Sequence, residues 1–294
     1  MNRFLSNKKA IAVFILPAAV IFTLIVIVSI GTSVYYSLHD WDGITQKVFV
    51  GFSNYGKLFI GNKDGFVKAL GNSLILAALS IVGELIPATF FAIVLARGVK
   101  GEGFFRTVFF IPVLLSSVVL GQLWSMIYNP TYGLLNTLLD TLGLSSLTRA
   151  WLGEQSTALI SVFVVVIWQY IGYHMLLIYS GIKRIPADIF EAAEIDGAGK
   201  IQTAFRVILP LILPTIKTSM VLAVIGSLKM FDIIYVLTGG GPNHATEVAS
   251  TLMYTAIFKK NQYGYGSAMA VFIIVECLFF TMVLNLWKPK QYTY

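Results

Sequence analysis

Between Ala10 and Leu38 the sequence carries no charged residue. An apolar helix crosses the hydrocarbon of a bilayer with about 20 residues, so this stretch spans it alone. Its core is read as residues 11–36, and five further runs qualify: 69–96, 107–128, 157–182, 215–237 and 267–287. Inside a bilayer no water satisfies free peptide groups, which leaves such runs the α-helix as their workable conformation. The expected fold is an all-α integral membrane protein with six transmembrane helices. Composition agrees, since only 12% of residues are charged, about half the share of a soluble domain. The basic start MNRFLSNKK imitates a secretory signal, but the apolar run behind it is too long for a signal core and is read as a spanning helix that stays.

Basic residues orient the spans. The N-terminus, the loop 97–106, the loop 183–206 and the C-terminus hold twelve lysines and arginines: Arg3, Lys8, Lys9, Arg97, Lys100, Arg106, Lys183, Arg184, Lys200, Arg206, Lys288 and Lys290. The opposite loops hold seven: Lys47, Lys57, Lys63, Lys68, Arg149, Lys259 and Lys260. Positive charge collects on the cytoplasmic side, so both termini are expected there in a multi-pass protein of the cell membrane. Tyr35, Tyr36, Trp124, Tyr128, Tyr235 and Trp287 near the span ends suit interfacial aromatic belts. The net charge of +7 is spread around apolar runs rather than clustered, which argues against nucleic acid as a partner. One cysteine, Cys277, excludes an intrachain disulfide, and His39, His174 and His244 lack metal-ligand spacing.

The loop IPADIFEAAEIDGAG interrupts the oil-like pattern. Pro186 suits a first helical turn, and Asp188 and Glu191 then lie near the positive end of the helix dipole. Gly197 and Gly199 can end the helix in conformations closed to other residues. The pair Ala192 and Ala193 would let another surface approach closely. A helix lying on lipid headgroups usually shows lysine and arginine on its polar face; here acids, Asp196 among them, take that place, which points to a protein partner in water.

This stretch resembles the EAA loop of binding-protein-dependent ABC transporter permeases, written EAA, three residues, G, nine residues, I, one residue, LP. Glu191, Ala192, Ala193, Gly197, Leu209 and Pro210 match, and Val207 replaces the isoleucine. IDGAG with Phe205, NPTYG at 129–133 and FDIIYVLTGGGP at 231–242 are similar to the sugar-importing subgroup related to maltose and glycerol-3-phosphate permeases. The resemblance implies a type I ABC importer permease, a single domain over 1–294 with core spans at about 69–287 and the EAA loop at about 183–214. It also implies that Asp188, Glu191, Ala192, Ala193, Asp196 and Gly197 couple to an ATPase. Implied partners are a homologous second permease forming a heterodimer, two ATPase subunits and an extracellular solute-binding protein. The sequence contains no GxxxxGK[ST] phosphate loop, so ATP and Mg are expected on the ATPase subunits, with no cofactor or catalytic site in this chain.

Ionisable residues inside spans are costly and point to function. Lys217 lies in the first turn of its run and is expected to snorkel. Lys229 and Asp232, three residues apart, are expected to share one helix face, either as a structural pair or as part of a substrate path. Glu84, three residues before Pro87, and Glu276 stand between helix contact and path lining. In the fourth run, WQYIGYH at 168–174 offers rings for the C–H faces of sugars and groups that bond hydroxyls. Trp168, Gln169 and Tyr173 are therefore candidates, and Trp168 and Tyr173 fall where the family's pocket residues lie. Ser227 and Met230 stand where the maltose permease has asparagines, completing a candidate set with Lys229 and Asp232. The expected function is translocation of a carbohydrate, an oligosaccharide or related sugar, driven by a separate ATPase. The rivals are an ion-coupled secondary transporter using Glu84, Asp232 and Glu276, and an ATPase-binding membrane sensor without flux.

Overall fold

The computed structural model describes residues 8–62 and 64–290. Arg3 and Lys63 of the charge comparison lie outside these residues. Contacts divide the chain into two units, one reaching to Asp64 and including Leu252–Ile274, the other holding Gly65–Thr251 and the chain from Val275.

The first unit starts with α1 (8–37), which contains a π-helical turn at Thr23–Ile27. Large apolar side chains along it, from Val13 to Val28, are exposed. With no inward stripe, this surface needs lipid or another chain around it. A two-residue hairpin follows, β1 (His39–Asp40) against β2 (Val48–Phe49), antiparallel with His39 opposite Phe49. In its loop the Asp42 carboxylate accepts from the amides of Thr45 and Ile44 and from the Thr45 hydroxyl, which holds its pKa at about 2. After α2 (53–61), the unit is completed by α11 (249–259) and by the start of α12 (Tyr263–Leu286).

The second unit is built on three long helices: α3 (Phe66–Ala96), α7 (Gln155–Ile182) and α9 (Lys200–Leu228). Half of the most apolar window of α7 is buried, against none in α1, so α7 is the centre of this unit. Small residues permit the close packing, as they do between helices in membranes generally. A Cβ on Gly172 would stand 1.8 Å from the Phe109 carbonyl oxygen, and one on Gly83 would meet Ile167 at 2.6 Å.

Two expected spans are broken. The run 107–128 forms α4 (Glu102–Leu114) and α5 (Ser117–Ile127), bent by 99°. Pro112 has no N–H for the ladder, Leu115 is extended, and the Ser116 hydroxyl accepts from the Val119 amide to start the next helix. At 1.5 Å per residue, α4 and α5 are about 20 Å and about 17 Å long, each shorter than the hydrocarbon is thick. The run 215–237 stops at Leu228, and α10 (Asp232–Leu237) begins after a break. There the Ser250 hydroxyl donates to the Met230 carbonyl, supplying a bond that a continuous helix would take from its own backbone. Lys229 and Asp232 are thus not on one helix, and no ion pair joins them, contrary to the expected shared face. Pro186 also moves: it caps α8 (Ala187–Ile195) from outside the first turn. Between α5 and α7 the loop carries the short helix α6 (Leu134–Thr141).

Candidate transport cavity and coupling loop

A cavity of about 370 Å³ opens among α3, α7 and the broken end of α9. Tyr170, Tyr173 and His174 reach it from α7, Glu84 from α3, and Ser227, Lys229, Met230 and Asp232 from the break. The spacing 170, 173, 174 is one face of a helix. Trp168 lies about 200° around the same helix from Tyr170, so it faces elsewhere: it is 38% exposed and meets the Trp124 ring edge-on at 5.5 Å. Gln169 is buried and likewise is not among the cavity's lining residues. The structure therefore brings Tyr173, Ser227, Lys229, Met230 and Asp232 together and leaves Trp168 and Gln169 outside.

Glu84 enters the cavity wall through a defect in α3. Pro87 cannot donate to the Gly83 carbonyl, and the turn Ile81–Leu85 relaxes to a π-helix. The Glu84 carboxylate stands 3.1 Å from His174 Nε2, and His174 Nδ1 is 2.7 Å from the Ser219 hydroxyl of α9. All three residues are at most 2% exposed, so one buried polar chain links α3, α7 and α9. A buried polar group is costly unless it is hydrogen-bonded, and the imidazole gives the Glu84 carboxyl a partner there. The Ser227 hydroxyl bonds that of Ser80 at 2.9 Å, a second polar link between α3 and α9. Lys229 and Asp232 are exposed and have no ion pair among the described residues. Glu276 is 7% exposed, with one carboxylate oxygen unbonded, and does not line the cavity. Among the described residues no group of three or more His, Cys, Asp or Glu is placed to hold a metal ion.

The loop after α7 contains α8, whose end closes as a Schellman motif. The Ala198 amide donates to the Ala193 carbonyl at 2.9 Å and the Gly197 amide to that of Glu194 at 3.0 Å. Gly197 sits at φ +75°, where an L side chain is strained. Ala193 is buried, and Ile189 and Phe190 pack beside it on Ile182, Ile185 and Ile208 and their neighbours. Ala192, Asp188, Glu191 and Asp196 are exposed, so the alanine pair is split between the two faces. Ile195, Ile201 and Phe205 are 86%, 75% and 67% exposed.

Sequence reasoning missed Tyr170 and the Glu84–His174–Ser219 chain. Tyr170 was within reach of the helical spacing from Tyr173 and His174. The pairing of Glu84 with His174 had no local signal, because its register depends on the π-turn.

The description "binding-protein-dependent transport system inner membrane component" matches residues 88–291. Over 288 residues the chain is 40% identical to the probable ABC transporter permease protein YurN of Bacillus subtilis, covering 97% of each chain. It is 33% identical over 278 residues to the diacetylchitobiose uptake system permease protein NgcF of Streptomyces coelicolor, covering 90% of this chain and 78% of that one. It is 38% identical over 242 residues to the multiple sugar-binding transport system permease protein MsmF of Streptococcus mutans, covering 82% of each. Its fold is similar to that of a chain of the bacterial alginate ABC transporter crystallised with an alginate pentasaccharide-bound periplasmic protein. The TM-score is 0.81 at 22% identity, over 97% of this chain and 95% of that one. With that match across residues 88–291 and these relatives along almost the whole length, the chain belongs to the binding-protein-dependent inner membrane components, the permeases of ABC importers.

Proposed function

We propose that this permease passes an oligosaccharide or related sugar into the cell, delivered by an extracellular solute-binding protein and driven by two ATPase subunits that bind ATP and Mg. A homologous second permease completes the pathway, and both termini of this chain face the cytoplasm. The observation that carries the reading is the cavity, where Tyr170 and Tyr173 rings stand among carboxylate, imidazole, hydroxyl and ammonium groups. Sugar rings pack their C–H faces on aromatics, and their hydroxyls bond to such polar groups. The diacetylchitobiose and multiple-sugar systems of the relatives support a sugar as the solute.

The placement of the parts supports a reading of alternating access. ATP binding draws the ATPase subunits together, and α8, with Asp188, Glu191, Ala192, Asp196 and Gly197 outward or at its end, carries that movement to α7 and α9. Ala193 faces inward and seats α8 on the bundle. The coupling is a free energy between two global states and acts in both directions. Trp168 and Gln169 act behind the cavity wall, while Tyr173, Ser227, Lys229, Met230 and Asp232 meet the solute.

The complex, reconstituted in vesicles with its binding protein, is expected to accumulate members of a panel of labelled di- and trisaccharides only when ATP is supplied to the ATPase side. Uptake driven by an ion gradient, or binding without flux, overturns the proposal. For orientation, Tyr132→Cys in a Cys277→Ser background is expected to react with an impermeant thiol reagent in intact cells, and Gln202→Cys is not. The reverse pattern inverts the topology.

A further inference from the structure

The loop between α3 and α4 fastens both ends of the segment that carries α8. Three helix ends meet there. The last carbonyls of a helix lack partners and its two ends carry opposite partial charges. Lys183, directly after α7, donates its ammonium to the Ala96 carbonyl at the end of α3, at 3.0 Å. Glu102 opens α4, where a negative charge suits the helix start, and accepts from the Tyr179 hydroxyl. Arg106 and Lys183 flank Glu102 at 3.7 and 3.9 Å, and both lie over the Tyr179 ring. At the far end of the segment, the Arg97 guanidinium donates to the carbonyl of Lys200, the first residue of α9. Gly98 and Gly101, at φ +79° and +84°, give the intervening loop its turns.

A cavity of about 350 Å³ lies beside α8, lined by Arg97, Ile182, Phe190, Glu194, Thr203 and Ile208 among others. Lys183 and Lys200, on either side of the helix, are both bonded to the chain at the end of α3. We propose that residues 97–102 form a clamp that makes α8 move as one body with the adjoining ends of α3, α4 and α7. Arg97 and Glu102 are then positioning residues for coupling: they touch neither solute nor ATP. The clamp rests on the reading of α8 as the coupling helix. It gives that helix a direct hold on α3, the helix whose π-turn carries Glu84 to the cavity.

The test uses the whole complex in nanodiscs, with Arg97→Cys and Lys200→Cys combined in a Cys277→Ser background. Unlinked, this variant is expected to retain the ATPase in pull-down and to keep basal hydrolysis, while stimulation of hydrolysis by the binding protein falls about fivefold or more, the lower end of ordinary allosteric coupling. Bridging the two thiols with a short bismaleimide is expected to restore stimulation. Glu102→Gln, which keeps the acceptor for Tyr179 and removes the charge, is expected to lower stimulation without releasing the ATPase. Normal stimulation in the unlinked variant, or a bridge that blocks turnover, overturns the clamp. If the unaltered permease fails to retain the ATPase, the coupling reading itself fails and the clamp falls with it.

Discussion

The segment around α8 takes its shape from residues close together in the chain, with Pro186 ahead of the helix, Gly197 behind it and a Schellman closure between Ala193 and Ala198. The cavity takes its shape from three helices far apart in the chain: a π-turn before Pro87, a helix that stops at Leu228, and the face of α7 that bears Tyr170, Tyr173 and His174. One presents exposed side chains; the other is lined by side chains from three helices. An exposed helix with its caps can be written locally. A wall made of side chains from several spans needs each span to be in register first.

The contrast can be broken at its most buried point. Glu84→Ala leaves His174 without its carboxyl partner, and an unsatisfied buried polar group costs about 1–3 kcal/mol. The detergent-solubilised complex is expected to melt at lower temperature, and Glu84→Ala combined with His174→Ala is expected to cost less than the two changes summed. Additive losses would mean that the two side chains do not act as a pair.

At α8, proposed to couple to the ATPase, the loss is expected in function, with the spans left inserted. Nothing lies within 4 Å of a Cβ added at Gly197, so Gly197→Val meets no steric neighbour and suffers only from φ +75°. The left-handed conformation costs an L residue about 1–2 kcal/mol, enough to shift docking by about tenfold. Reduced ATPase capture by Gly197→Val, with Gly197→Asn closer to the unaltered permease, is the expected result. Equal capture by all three would show that the turn does not aim the helix.

The smallest expected effect separates two faces of α7. Tyr173→Ala is expected to lower uptake about fivefold, in keeping with a lost contact worth about 1 kcal/mol. Trp168→Ala, which removes a ring packed on Trp124, is expected to cost uptake less and stability more. A larger uptake loss for Trp168 would place the pathway on the opposite face of the helix.

These differences follow how the two regions could be read from the residues. The apolar runs, the acidic helix and the glycine at its end were legible because each depends on spacing within one segment. Tyr173, Ser227, Met230 and the flanking charges were named as candidates, yet Lys229 and Asp232 were expected on one helix. The break between them depends on Ser250, twenty residues away, bonding the Met230 carbonyl. The bend at Leu115 was similarly hidden in a run of continuous hydropathy, although Pro112 and Ser116 mark it in retrospect. Hydropathy reports the solvent that a segment tolerates; where that segment stops being a helix is decided by single proline, serine and glycine residues and by partners elsewhere.

The bend between α4 and α5 also bears on how the protein is made. Two half-length helices at 99° leave peptide groups near Leu115 that lipid cannot satisfy, and the wall against which α4 packs, at Gly172, is translated some sixty residues after Phe109. The pair is therefore expected to stay with the insertion machinery until α7 emerges. Chains arrested before Gln155 are expected to stay crosslinkable to that machinery, and chains arrested well past Ile182 to be released; early release in both would mean that the bend settles in lipid unaided.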